Sequence, residues 1–466
     1  MWVAQYRQYP YPAGVTMISR DKYYRSKYDR VPAPPPNHVP GADVISVHED
    51  RDGDGRYEIH SVANGLTWGP DGWFYGAQGS TTTSRVTRPG VDAIHAPGVY
   101  AEGCMSWRYH PERKLYEICT DGSGNTFGLS FDAEGRLFTE HNGGVTRGWH
   151  HIQEGLFLKQ GKDPGKFGPS QNPFAFGELP MMHSTHPVPR FSHMTILGEG
   201  TALPDRLRGK DLPLERGVDL AKKSTPELIQ LLAHANPWHR QTAVRLLSER
   251  HDALALPRLL DELDKSGTHP ALEALWALHQ MGWLDDARAA KTLTHPAVMV
   301  RAWTIRLRGD ERKLSASLAA LVTARAAVEP DAEVRCQILS TARRLPAAQA
   351  LPLVRAIALR TNDIADAFIP LMAWFVIESQ CASQREAVMA LFDDAQFWRA
   401  PFVRQHLESR LMRRLAASGT RQELMACALL LAKAPTDEDR QVLMLGFEEA
   451  FPRRPTHGPC ERASAN

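Results

Sequence analysis

Hydrophobic and polar positions follow two different rhythms along this chain. Up to about Lys210 the apolar residues come in short alternating runs broken by Gly, Pro and Asp. From Ser224 onward they recur every three or four residues. The first rhythm predicts strands and the second predicts helices. Within the first part, Leu66-Thr-Trp-Gly-Pro-Asp-Gly-Trp-Phe-Tyr75 reads as strand, tight turn, strand, because Pro-Asp-Gly supplies the turn between aromatic and β-branched residues. The pattern returns 63 residues later as Leu129-Ser-Phe-Asp-Ala-Glu-Gly-Arg-Leu-Phe138, with Gly72 and Gly135 in register. A hairpin that recurs with Gly at its turn suits the blades of a β-propeller, each a small antiparallel sheet. The spacing exceeds the ~40–50 residues of one blade and implies insertions. Trp2-Val-Ala-Gln-Tyr6 resembles the second strand of such a hairpin, so the pattern predicts a start within a blade. Residues 153–193, rich in Gly, Pro, Phe and His, show neither period and predict a long ordered loop over a sheet, a feature that often carries function.

The helical half opens at Ser224-Thr-Pro-Glu227, a capping box with proline in the first turn, followed by Leu228, Ile229, Leu231 and Leu232. His234-Ala-Asn-Pro237-Trp-His-Arg240 then ends one helix and launches the next. The turn returns as His295-Pro296-Ala-Val298-Met-Val-Arg301 and, more faintly, as Asp331-Ala-Glu-Val334-Arg335. Such a turn resembles that of HEAT repeats, and the segment has room for about six helix pairs at ~40 residues each. Trp238, Trp276 and Trp303 fall on helical faces and are expected in the core. The expected fold class is therefore multidomain β plus α. A partial β-propeller covers residues 1–210, a linker 211–223, a HEAT-type α-solenoid 224–452 and a frayed tail 453–466.

Composition narrows the chemistry. With 43% hydrophobic and 23% charged residues the chain reads as globular, and 55 Lys plus Arg against 53 Asp plus Glu give no electrostatic case for a nucleic-acid partner. No run approaches the ~20 apolar residues of a membrane-spanning helix, and the opening residues lack the order of a signal peptide. The cysteines form no CxxC pair and no CxxCH motif; Cys104 and Cys119 could bridge across a hairpin, although two buried free thiols are the preferred reading. Asp50, Asp52 and Asp54 stand at the alternating positions of half a calcium loop. Ser61 occupies its twelfth position where a bidentate Glu belongs, which excludes an EF-hand and leaves a calcium-stapled loop or a solvated acidic turn. The histidines from His183 to His193 surround prolines 187 and 189 with no carboxylate among them, so a structural extended segment is favoured over a metal site.

The ordered words WVAQYRQYPYPAG, SRDKYYR, HEDRDGDG, HSVANGLTWGPDGWFYGAQGS, GNTFGLSFDAEGRLFTEHNGG, TRGWHH, NPFAFG and PRFSH resemble the glucose/sorbosone dehydrogenase family. The likeness is sharpest to the membrane-bound dehydrogenases of planctomycetes and verrucomicrobia, in which a propeller precedes HEAT repeats and a C-terminal cytochrome c. That resemblance implies a sugar or alcohol dehydrogenase using pyrroloquinoline quinone (PQQ) with calcium, placed in the periplasm or cell envelope. It implies His60 as the general base on the substrate hydroxyl. Asn125 carries over as a cofactor contact, and His141, Asn142 and Gly143 match a turn that lines the same pocket. The family places arginine before that asparagine, whereas this chain has Gly124. A six-bladed propeller needs ~250 residues or more, and only about 210 precede the helices. Blade sequence is thus expected to be missing near residue 56 and near Lys210, and the C-terminal haem domain is expected to be missing as well. In the dehydrogenase reading a cytochrome partner accepts the electrons. The competing reading is a non-catalytic scaffold that binds carbohydrate or protein, with the HEAT surface as its interaction platform.

Overall fold

The computed structural model describes residues 64–79, 84–88, 91–93, 98–101, 103–124, 126, 128–139, 144–159, 174–188, 218–265 and 267–451. Antiparallel sheets come first and helices follow. Strands β1 (Asn64–Trp68), β2 (Phe74–Gln78), β5 (Met105–His110) and β6 (Leu115–Asp121) form one four-stranded meander, with the ribbon β3 (Ser84–Val86) and β4 (Val99–Ala101) inserted after β2. Strands β7 (Leu129–Phe131), β8 (Leu137–Thr139), β9 (Gly144–His151) and β10 (Met182–Val188) form a second meander in chain order.

Period-two alternation explains how the first sheet is buried on both faces. Trp73, Tyr75 and Ala77 pack with Cys119, Leu129 and Leu137, while Phe74 packs with Ala101, Met105 and Trp107 on the other side. Gly76 lies opposite Trp107, where an added Cβ would stand 2.1 Å from the indole ring. Cys104 and Cys119 are buried free thiols.

The helices are α1 (Thr225–Gln230), α2 (Pro237–Arg250), α3 (Ala255–Lys265), α4 (Thr268–Gln280), α5 (Asp286–Thr292), α6 (Val298–Arg308), α7 (Ala316–Val328), α8 (Ala332–Ala342) and α9 (Ala347–Ala358). They continue as α10 (Ile369–Cys381), α11 (Arg385–Ala390), α12 (Ala395–Arg399), α13 (Pro401–Val403), a π turn at Arg404–Glu408, α14 (Ser409–Ser418), α15 (Arg421–Lys433) and α16 (Asp437–Glu449). A recurring side-chain clamp shows that these are repeats. Arg240 donates to the carbonyl of His234 at 2.9 Å, Arg301 to that of His295 at 2.8 Å, Arg335 to that of Glu329 at 2.9 Å and Arg440 to that of Ala434 at 3.0 Å. In each case the arginine sits six residues beyond the carbonyl it closes. His234 and His295 also accept the backbone N–H two residues on, at 3.0 and 3.1 Å. The sequence words His234…Arg240 and His295…Arg301 are therefore the parts of one turn, which supplies partners to the orphan carbonyls between two helices.

The chain divides into two compact units. One comprises Met1–Pro173 and Glu178–Asp310, the other Phe174–Gly177 and Glu311–Asn466. The first helices thus belong with the sheets, and the division falls at Asp310, inside the helical half. Two expectations need correction. Within 153–193, residues Met182–Val188 are a strand paired with β9; as the edge strand it tolerates Pro187, whose missing N–H breaks no interior ladder. Trp238 is 52% exposed, while Trp276 and Trp303 are buried. The buried stripe of α2 runs through His239, Arg240, Ala243, Val244, Leu246 and Leu247, which leaves position 238 off that face.

Candidate functional site

Strands β1 and β7 are the first strands of their meanders and lie side by side. Gly65, at φ +62°, is so close to β7 that an added Cβ would stand 2.9 Å from Leu129 Cβ. Both strands run toward turns that dock on helices of the same unit. Gln280 of α4 donates to the Pro70 carbonyl at 2.8 Å, and an added Cβ on Gly72 would meet the same side chain at 3.3 Å. Trp303 of α6 donates to the Glu134 carbonyl at 2.8 Å, and an added Cβ on Gly135 would reach Trp303 at 2.5 Å and Trp276 at 2.8 Å. The two glycines in register in the sequence, both at positive φ, thus mark the helix-docked end. The starts of β1 and β7 lie at the other end, about 10–15 Å away along the strands.

His60, Asn125, His141, Asn142, Gly143 and the acidic trio Asp50, Asp52 and Asp54 lie outside the described residues. The described neighbours of Asn125 are neutral. Ser123 and Thr126 are fully buried and share a hydroxyl–hydroxyl hydrogen bond of 2.8 Å, and Thr126 donates to the Gly124 carbonyl at 3.0 Å. Lys159, which reaches the end of β6, is engaged by Asp121 at 2.9 Å. A tricarboxylate quinone calls for cations; with Gly124 in the arginine's place, the described part of this end does not fit it. Among the described residues no group of three or more His, Cys, Asp or Glu could hold a metal ion.

A dense polar cluster lies at the docked end. Arg108, fully buried on β5, donates to Asp310 at 2.8 Å, to Glu117 at 2.6 Å and to Asp71 at 3.4 Å, and its guanidinium stacks 3.9 Å over Trp73. Trp73 Nε1 also donates to Asp310, at 3.1 Å. Tyr75 donates to Asp71 at 2.6 Å and accepts from Arg306 of α6 at 2.9 Å. Burial opposes the charge on Arg108, but Asp310, Tyr75, Glu117 and Asp71 outweigh it and hold the guanidinium well above its ordinary pKa. Burial, reinforced by Asp71, pushes the Tyr75 phenol well up. These groups are spent on one another, so the cluster fastens sheet to helices and offers no free acid or base.

His151 fastens the two sheets. Nδ1 lies 2.7 Å from Thr120 Oγ1 and 3.0 Å from Ser106 Oγ, and Nε2 lies 2.9 Å from Thr139 Oγ1. Burial, aided by His150, lowers its pKa to about 3, so the ring is neutral. Three hydroxyls, each able to donate or accept, suit a neutral imidazole. Nothing in the sequence groups Arg108, Asp310 and His151, because their partners lie up to 237 residues away. In the second unit a groove of about 730 Å³ runs between α7 and α9, lined by alanines with Arg355 and Arg360. Asp394 engages Arg355 at 2.7 Å, and Arg360 donates to the Ala327 carbonyl at 2.5 Å.

Residues 57–195 match a family described as a domain of unknown function, DUF7133. No curated protein matches the chain. Among solved structures, an engineered protein shares 15% identity over 48% of this chain and 68% of its own, with a TM-score of 0.28. A designed armadillo repeat protein shares 15% identity over 49% of this chain and 100% of its own, at a TM-score of 0.22. Computationally designed armadillo repeat proteins for modular peptide recognition share 16% identity with the same coverages and a TM-score of 0.22. At these scores the repeat character rests on the arginine clamps.

Proposed function

We propose that the chain is an oxidoreductase related to the quinoprotein sugar and alcohol dehydrogenases, with its two meanders as propeller blades and His60 as general base. One observation carries this reading: the first strands of two successive four-stranded meanders lie side by side, with helices docked at the opposite end. In the sequence, His60 and Asn125 each stand four residues ahead of those strands. A site at the undocked end would draw on both. In this reading a neutral His60, whose ordinary pKa of ~6.5 leaves it mostly unprotonated at pH 7, accepts the proton of a substrate hydroxyl. Periplasmic or cell-envelope placement belongs to the same proposal. The test is dye-linked oxidation of sugars and alcohols, with and without added PQQ and calcium. Turnover by the wild type that falls at least about a hundredfold in His60→Ala supports the reading; no turnover, or turnover unchanged in the variant, overturns it.

Gly124 and its neutral neighbours favour a second reading, a non-catalytic scaffold that binds carbohydrate or protein. Titration with PQQ, followed by its absorbance, separates the two. Saturable micromolar binding removes the ground for the scaffold reading.

A further inference from the structure

The chain contributes four residues of its β half, Phe174–Gly177, to the second compact unit. They sit against one face each of α10 and α14. On α10, Leu371, Trp374 and Glu378 recur at helical spacing; on α14, Arg410, Arg413 and Arg414 do the same. Trp374 Nε1 donates to the Phe174 carbonyl at 3.1 Å, and Arg410 Nε donates to the Phe176 carbonyl at 3.4 Å. The Phe176 ring stacks on Trp374, with centroids 6.0 Å apart and planes 20° from parallel, and lies 4.2 Å from the Arg413 guanidinium. The Phe174 ring meets Phe176 edge-on and lies 3.8 Å from the Arg414 guanidinium, which Glu378 holds at 3.3 Å. Phe176 adopts φ +48° and Gly177 φ +150°. A Cβ at Gly177 would stand 2.7 Å from Leu371 Cδ2.

Each of these contacts reads a different feature of the segment. Two guanidinium–ring stacks and one indole face select aromatic residues at the first and third positions, where flat faces and cations attract one another. Two side-chain donors fix the backbone between them. Leu371 and the left-handed turn select glycine at the fourth position. We propose that the α10–α14 face is a recognition site for Phe-x-Phe-Gly segments, occupied in this chain by its own Phe174–Gly177. The same site takes a segment of that chemistry presented by a protein partner whenever the internal one is displaced. The internal segment holds it closed because a tethered ligand competes at an effective concentration on the order of millimolar.

The test uses the full-length chain and the synthetic peptide Asn-Pro-Phe-Ala-Phe-Gly-Glu, which copies residues 172–178. Fluorescence anisotropy of the labelled peptide is read against three proteins: wild type, Phe174→Ser/Phe176→Ser, and Gly177→Val. The last leaves both rings in place but drives a side chain into Leu371. Saturable binding is expected for both variants, at least tenfold tighter than for wild type. Adding Arg413→Ala to either variant is expected to weaken binding several-fold, and Arg413→Lys to restore part of it. A peptide with both phenylalanines replaced by serine is expected not to bind. Where the double variant fails to give a wild-type circular dichroism melt, Gly177→Val decides alone. Binding no tighter than to wild type, or equal binding of the serine peptide, overturns the proposal.

Discussion

At the sheet–helix junction of the first unit, the carboxylates of Asp71 and Asp310 are taken out of water and meet guanidiniums and phenolic or indole donors. In the second unit Glu408, fully buried in the π turn Arg404–Glu408, has no hydrogen-bonding partner on either oxygen among the described residues. Its neighbour Arg404 is committed to Asp439 at 2.7 Å. Burial, reinforced by Asp439 and opposed by Arg404, pushes the Glu408 carboxyl up to about 8. Buried acids are thus accommodated by two routes, ion pairing at Asp71 and Asp310 in the first unit and at Asp439 and Asp363 in the second, and protonation at Glu408. His151 adds a third case, a base kept neutral. The lesson is that a buried titratable group is no functional site by burial alone; its partners decide whether it fastens, switches or reacts.

Pairing is the dearer arrangement to disturb. Arg108→Met keeps most of the side-chain volume but leaves Asp71, Glu117 and Asp310 without their shared cation. The expected loss is about 3–5 kcal/mol, read from urea unfolding followed by tryptophan fluorescence of the full chain. A loss under about 1 kcal/mol would show that water or neighbouring groups take over, and the contrast with Glu408 would collapse.

Much of this architecture was readable in the sequence, and the reasons are local. Both hairpins, from Leu66 to Tyr75 and from Leu129 to Phe138, were legible because turn chemistry and alternation act within ten residues. The capping box at Ser224 was legible for the same reason, and the Ser224 N–H does donate to Glu227 at 2.8 Å. The strand at Met182–Val188 was not, because an edge strand with proline and irregular register carries no clean alternation. Nor was the role of Asp310 in a short 3₁₀ turn, since nothing in Arg308-Gly-Asp-Glu311 points back to Arg108. The proposed site residues, His60 and Asn125 among them, rest on the resemblance of sequence words alone and lie outside the described residues. What the structure adds is the placing of the strands that follow those two residues.

Neutral His151 predicts an intermediate effect with a definite sign. Its native pKa of about 3 lies below the ordinary ~6.5, so the unfolded chain binds the extra proton between those values. Its contribution to stability is therefore whole above about pH 6.5 and is lost as the pH falls toward 3. The expected loss on going from pH 7 to pH 4.5 is about 2.5 kcal/mol. His151→Gln, which keeps hydrogen-bonding groups at both ends, should remove that part of the acid slope. If wild type and variant decline in parallel over that range, the ring is already charged in the folded protein.

Glu408 predicts the smallest net change and the opposite sign. Its native pKa lies above the ordinary carboxyl value, so the folded state holds the extra proton. Its contribution is therefore whole below about pH 4.5 and is lost as the pH rises toward 8, where His151 no longer matters. Glu408→Gln removes the ionisation but leaves a buried amide whose own donors lack partners. The two terms offset, giving a net gain of about 1 kcal/mol at pH 8. The slope is the cleaner signature: from pH 6 to 8 the wild type should lose stability that the variant keeps, in thermal melts followed at a helical wavelength. Equal slopes would mean that Arg404 or water already serves the carboxylate, and Glu408 would then join Asp439 and Asp363 as a paired buried acid.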